Sequence, residues 1–253
     1  MKREQFRELL RQFVKKGIRM KYRNSFLGII WSLFEPLLSI LVYVMVFGTL
    51  FHHRDMTFAL YVSCGRLLYA FFSEGTQSAN SSIRSNAEIL RKVYVPQYLY
   101  PLSEILWHYV IFLVSLVVLI PFYIAAGRTL NLKILWVLPA LVLLLILTTG
   151  VGLILSCCNV FFRDVEYIWR VLLMLIMYSS AIFYYPERIL QSSLAFLLNL
   201  NPVYGVIALF RCGIFGTEVT SWMLIFTTVV SINSLIMGIL LYHKFQRRFV
   251  LYV

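Results

Sequence analysis

Residues 134–162 read ILWVLPALVLLLILTTGVGLILSCCNVFF, 29 positions without a formal charge. An α-helix rises about 1.5 Å per residue and the bilayer's hydrocarbon core is about 30 Å thick, so about 20 apolar residues cross it. This stretch is long enough to cross with tilt. The same criterion, applied outward, picks out Ile29–Phe51, Thr57–Ala79, Ile105–Ala126, Val165–Tyr185 and Val219–Tyr242. Glu35-Pro36 interrupts the first of these, and Arg66 and Glu74 make the second the weakest candidate. The expectation is an all-α integral membrane protein of six spans, with residues 1–253 forming one transmembrane domain.

Composition points the same way. Of 253 residues, 60% are hydrophobic, only 13% are charged, and the mean hydropathy is +0.81. A soluble domain carries about 25% charged residues and could not cover a water-facing surface with half of that. Collagenous and disordered classes fail as well, because Gly is 12, Pro is 7 and aromatics make up 16%. The net charge of +12 would suggest nucleic acid in a soluble protein. Here its position matters more: nine of the 23 Lys and Arg precede the first span, which is a topology signal, so no nucleic acid partner is expected.

Residues 3–22 place Phe6, Leu9, Leu10, Phe13, Val14 and Ile18 at three- and four-residue steps. Arg3, Arg7, Arg11, Lys15 and Arg19 recur every four residues between them. That pattern predicts an amphipathic helix over 1–25 lying in the membrane interface, or a solvated basic helix packed on protein. No run of seven apolar residues occurs in the first 23 positions, so no signal peptide is expected.

Ile189–Phe210 would also pass a hydropathy window. Yet Gln191, Ser192, Ser193, Asn199, Asn201-Pro202 and Gly205 break a helix near its middle. Charge decides between six spans and seven. With six, both termini share one side, and that side collects 17 Lys and Arg from the N-terminus, the 80–100 loop, the 160–170 turn and the tail. The other side holds five (Arg54, Arg128, Lys133, Arg188 and Arg211), with Arg66 inside a span. The positive-inside bias therefore favours six spans and cytoplasmic termini. Residues 186–215 are expected to form a re-entrant helical hairpin in the outer leaflet, its broken backbone buried against protein.

The chain has no G-x-x-x-x-G-K-[ST], H-E-x-x-H, G-x-S-x-G or C-x-x-C. Cys64, Cys157, Cys158 and Cys212 have no metal spacing and read as small buried hydrophobes, so neither a metal nor a cofactor of its own is expected. His52-His53 reads as a solvated loop. Ionisable residues inside spans are the default functional suspects. Glu35 and Arg66 are expected at comparable depth, where they could pair, while Glu74 and Glu104 fall near the cytoplasmic boundary. No catalytic carboxylate pair or triad is apparent. Tyr43 and Phe47 stand four apart on the first span, and Tyr178, Phe183, Tyr184 and Tyr185 crowd the outer end of the fifth. Composition alone allows an interfacial aromatic belt or a stacking surface for sugar rings.

The segment KYRNSFLGIIWSLFEPLLSILVYVMVFG, residues 21–48, resembles the opening of the ABC-2 polysaccharide exporters, membrane subunits that export O-antigen, teichoic acid or capsule chains. NAEILRKVYVP (86–96), LSCCNVFFRDVEYI (155–168) and NLNPVYGVIALFR (199–211) agree in order and spacing, so the resemblance covers essentially the whole chain. It departs after Gly65, where Arg66 intrudes and Leu68-Tyr69 replace the family's usual Pro-Trp.

The resemblance implies a homodimer in the bacterial cytoplasmic membrane, joined to two copies of a separate ATPase that binds ATP and Mg. It implies a coupling helix over 86–95, with Glu88, Arg91 and Lys92 contacting the ATPase, and a second contact at Arg163 and Asp164. It implies that Tyr43, Phe47, Tyr178 and Tyr184 line the channel and that the 186–212 hairpin is an outer gate. Arg19, Lys21 and Arg23 are placed to meet the phosphate head of a lipid-linked glycan among the membrane lipid. The competing expectations are an ABC-2 exporter of a small lipid or drug, and a polytopic lipid-modifying enzyme.

Overall fold

The computed structural model describes residues 3–23, 25–50, 55–92, 95–129, 131–191 and 195–252. Among them every regular element is helical. The amphipathic N-terminal pattern becomes α1 (Arg3–Lys21), which packs on α5 (Leu99–Ser115). A 3₁₀ turn (Gly28–Ile30) leads into α2 (Trp31–Leu50), and α3 (Met56–Ser85) follows. The short α4 (Ala87–Lys92) ends before the expected stop at Pro96. α5 continues through a 3₁₀ turn (Leu116–Val118) into α6 (Leu119–Ala125). Pro121 explains that tightening, because it lacks the N–H that residue 117 would receive and its ring crowds that carbonyl.

A second 3₁₀ segment (Leu132–Trp136) opens α7 (Val137–Phe161), then come α8 (Val165–Tyr178), α9 (Glu187–Leu190), α10 (Ala195–Asn199), α11 (Pro202–Phe215) and α12 (Ser221–Tyr252). His52, His53 and Arg54 lie outside the described residues.

Among the described residues, five helical stretches are long and apolar enough to cross a membrane: Gly28–Thr49, Met56–Ser85, Leu99–Ala125, Leu132–Phe161 and Ser221–Gln246. The expected span Val165–Tyr185 differs. Its helix stops at Tyr178 after 14 residues, a rise of about 21 Å, and residues 179–185 are not helical. The weakest candidate, in contrast, forms the longest-buried helix of the bundle. α3 packs against α2, α5, α6, α7, α8 and α11, and its apolar residues from Phe58 to Phe72 are nearly all buried.

Small residues set the closest approach. α7 and α12 meet where Gly150 faces Ser234 and Leu235, and Gly238 faces Leu153 and the Gly150 carbonyl. A Cβ at Gly150 would stand 2.4 Å from the Leu235 nitrogen, so no larger residue fits without separating the helices. The outward faces of α2, α8 and α12 expose Met45, Val171, Met174 and Leu240, as expected of surfaces meeting lipid or a second copy.

Candidate functional site

Pro36 lies inside α2 and cannot donate to the carbonyl of Ser32. That freed carbonyl accepts from the Ser115 hydroxyl of α5 at 2.8 Å, which ties α2 to α5. Beside this tie, α2, α3 and α5 line a polar, partly open cavity of about 70 Å³. Lys21, Glu35, Arg66, Glu74 and His108 all line it. The two suspects picked out at the sequence level, Glu35 and Arg66, thus share one cavity, but the ion pairs among the described residues do not join them. Arg66 instead sets its guanidinium 5.7 Å from the Tyr43 ring centroid, with its Nε–H buried and unpartnered.

Glu74 is the acceptor at the cavity's other end. Its Oε2 lies 3.8 Å from Lys21 Nζ and 3.5 Å from His108 Nδ1. His108 Nε2 is 2.8 Å from the Ser78 hydroxyl, and its ring stacks on Trp107 at 3.6 Å. Trp107 donates to Glu104 at 2.6 Å. Lys21, the last residue of α1, therefore faces Glu74 of α3 while remaining exposed, as Arg19 and Arg23 are. Tyr22 follows, and its burial near Glu35 and Glu74 raises its phenol above the ordinary tyrosine value.

The aromatic residues divide. Tyr43 and Phe47 gather on Phe183, at 4.9 Å and 4.5 Å between centroids, the second pair stacked. Tyr178 stays exposed and outside this group. Tyr184 donates to the Tyr178 carbonyl at 2.5 Å and packs with Ala181 and Tyr204.

The broken end of α8 shows how non-helical backbone persists at this depth. Membrane-embedded carbonyls must find donors within the protein. The Asn201 amide nitrogen, with two protons to give, lies within hydrogen-bond reach of the carbonyls of Ile176 and Ser179 at 3.3 and 3.1 Å and the hydroxyls of Ser179 and Ser180 at 3.0 and 2.9 Å. Its Oδ1 accepts from the N–H of Val203 and Tyr204, capping α11. Pro202 at the first helical position costs no hydrogen bond.

Arg211, one helix length further, donates to Ala181 at 2.9 Å, to Ile182 at 3.4 Å and to the Tyr61 carbonyl of α3 at 2.9 Å. Its guanidinium lies 3.3 Å from the Tyr61 ring centroid, and the Tyr61 hydroxyl reaches the carbonyls of Ala181 and Tyr184 at 3.2 Å. Gly65 leaves room for it, because a Cβ there would stand 2.7 Å from Arg211 Nη2 and displace the guanidinium.

This corrects the charge assignment of Arg211. It is not an outer-side surface cation but 5% exposed, in the bundle interior. The signal was present in the sequence: an arginine inside an otherwise uncharged apolar helix is the same kind of suspect as Arg66. His108 was not singled out, and Phe183, named among the aromatics crowding the fifth span, was not in the set expected to line the channel; their neighbours in space distinguish both.

At the basic end of the bundle, Glu88 on α4 and Arg163 and Asp164 in the α7–α8 turn are exposed. A groove bordered by Arg84, Ser85, Ala87, Arg163 and Glu166 connects α4 to that turn. The side chains of Arg91 and Lys92 lie outside what the structure describes. No cluster of three His, Cys, Asp or Glu that could hold a metal occurs among the described residues.

A profile of the ABC-2 type transporter family matches residues 8–215. The chain is 27% identical over 247 residues to the O-antigen export system permease protein RfbA of Klebsiella pneumoniae, covering 96% of this chain and 93% of that protein. It is 29% identical over 210 residues to the RfbA of Myxococcus xanthus, covering 82% and 80%. It is 23% identical over 250 residues to the capsule polysaccharide export inner-membrane protein CtrC of Neisseria meningitidis serogroup B, covering 95% and 92%. Five membrane-length helices and a family match over most of its length agree: this chain belongs to the ABC-2 type transporter family.

Proposed function

We propose that this chain is the transmembrane subunit of an ATP-driven exporter of a lipid-linked polysaccharide, of O-antigen or capsule type. The supporting observation is that relatives matching it almost end to end are named as permeases for such polymers. Two copies form the channel in the bacterial cytoplasmic membrane, with both termini cytoplasmic. Each pairs with one of two ATPase subunits, which bind ATP and Mg.

In this reading α8 and the supported segment 179–185 together make the fifth of six spans, α1 lies in the interface, and α9, α10 and α11 form a re-entrant outer gate. Tyr43, Phe47, Tyr178 and Tyr184 line the path. Aromatic faces suit successive sugar rings, because stacking holds each ring weakly and lets the chain move on. Glu88, Arg91, Lys92, Arg163 and Asp164 contact the ATPase, a role supported by the groove that joins α4 to the 161–166 turn. ATP-driven closure there tilts α3 and α7, whose ends form that groove, and carries the motion across the bilayer. Arg19, Lys21 and Arg23 meet the phosphate head of the substrate. The Glu74 carboxylate, 3.8 Å from the Lys21 ammonium, competes with that phosphate for it.

Depletion of the protein in its host tests the cargo. The expected result is lipid-linked glycan accumulating inside with loss from the cell surface. Unchanged surface glycan refutes the assignment.

A further inference from the structure

The start of α3, the turn after α6, the start of α9 and the α11–α12 link together border a pocket of about 480 Å³. α3 begins at this pocket and ends beside α4, so the pocket and the α4 groove lie at opposite ends of the bundle. In the topology proposed above, the pocket opens at the outer face. Tyr61, Tyr204 and Arg211 are buried and form its floor. Tyr185 and Phe215 stand half-buried in its walls, while Arg128, Glu187, Glu218 and Thr220 are exposed at its rim.

The aromatic walls are braced within the protein. The Tyr185 and Phe215 rings lie 4.7 Å and 6.2 Å from the Tyr61 ring between centroids. The Arg211 guanidinium covers Tyr61, and that of Arg128 lies 5.2 Å from the Phe215 centroid. The rim, in contrast, keeps its polar groups available: neither Glu187 nor Glu218 joins an ion pair among the described residues. Two carboxylates there accept hydrogen bonds, Arg128 donates them, and the Thr220 hydroxyl does either.

Among the described residues the lining balances in charge, with Arg128 and Arg211 against Glu187 and Glu218. An anion entering it meets both carboxylates, and a cation meets both guanidinium groups. An apolar molecule strips water from the rim without replacing its hydrogen bonds. A sugar ring answers each condition. Its C–H face lies on an aromatic ring, and its edge of hydroxyls both gives and accepts hydrogen bonds. Resting on the exporter function given above, we propose that this pocket binds a neutral sugar unit of the glycan as the chain emerges at the outer face. Tyr43, Phe47, Tyr178 and Tyr184, the rings assigned to the path, stand outside it.

Saturation-transfer difference NMR on the full-length protein in nanodiscs tests this, with oligosaccharides released from the host's surface glycan by mild acid as the probe. Saturation is expected to reach the ring C–H protons of neutral units. Glu218→Gln, an isosteric change at an exposed position, is expected to weaken binding about tenfold, the factor for one hydrogen bond to a charged group. Thr220→Trp closes the mouth and is expected to abolish the signal in a protein that elutes from size exclusion like its parent. Absence of transfer in the unaltered protein, or transfer to acidic units alone, overturns the inference. So does a Thr220→Trp protein that keeps the signal, or unchanged affinity in the Glu218→Gln protein. Failure of the exporter reading is distinguished by depletion: lost surface glycan without sugar binding overturns the pocket alone, whereas unchanged surface glycan overturns the exporter reading whichever sugar binds.

Discussion

Replacing Arg211 by glutamine is expected to release the segment 179–185 from α3. The guanidinium gives hydrogen bonds to the carbonyls of Ala181, Ile182 and Tyr61 and covers the Tyr61 ring. A hydrogen bond to a charged group contributes about 1.5–3 kcal/mol. The full sum is not lost, because the Ala181 carbonyl keeps the Tyr61 hydroxyl and the Tyr61 carbonyl lies within α3. Removing the buried charge also recovers desolvation of several kcal/mol. A net cost of about 3 kcal/mol remains, about a hundredfold increase in the open population of the segment. Ile182 is fully buried, so an Ile182→Cys reporter reads this opening as its rate of labelling by a membrane-impermeant maleimide. Arg211→Lys keeps the charge but loses the planar fork and is expected to fall between the two. Labelling of the Arg211→Gln protein within threefold of its parent would refute the reasoning.

Three further expectations follow from the same geometry. Asn201→Ala removes both the α11 cap and the donor to Ser179, at a cost of about 2–3 kcal/mol; thermal unfolding in detergent should show a lower midpoint, partly restored by Asn201→Asp, which keeps only the cap. Gly150→Val drives a side chain into Leu235 and should leave little monodisperse protein on size-exclusion chromatography, whereas Val229→Ala on the exposed face of α12 should leave the elution profile unchanged. Tyr43→Ala with Phe47→Ala should slow glycan export while the assembled complex still hydrolyses ATP; a matched fall in both would place these rings in the packing rather than in the path.

Much of the fold was legible because crossing a bilayer demands little beyond length and the absence of charge. The α7 stretch satisfies both from sequence alone. The criterion misjudged two elements for opposite reasons. α3 carries Arg66 and Glu74 and looks weak, yet it is the most enclosed helix, since its polar groups face a cavity and neighbouring helices rather than lipid. Residues 179–185 are apolar and look helical, yet they are not, because Asn201, Arg211 and Tyr61 satisfy their carbonyls from far along the chain. Local sequence holds no record of such donors. The same limit applies to the polar cavity. Glu35 and Arg66 stood out as charges in a span, but Glu74 joined to Lys21 and His108 depends on how α1 and α5 pack against α3.

The central claim is that this chain carries a glycan across the membrane, and transport in inverted membrane vesicles tests it most directly. Vesicles containing the chain and its ATPase are loaded on their outer, cytoplasmic face with labelled lipid-linked glycan, and its exposure to an added glycosidase is followed. The account predicts that ATP moves the glycan into the lumen and protects it, with no protection in vesicles lacking the chain. Equal protection with and without the chain would contradict it.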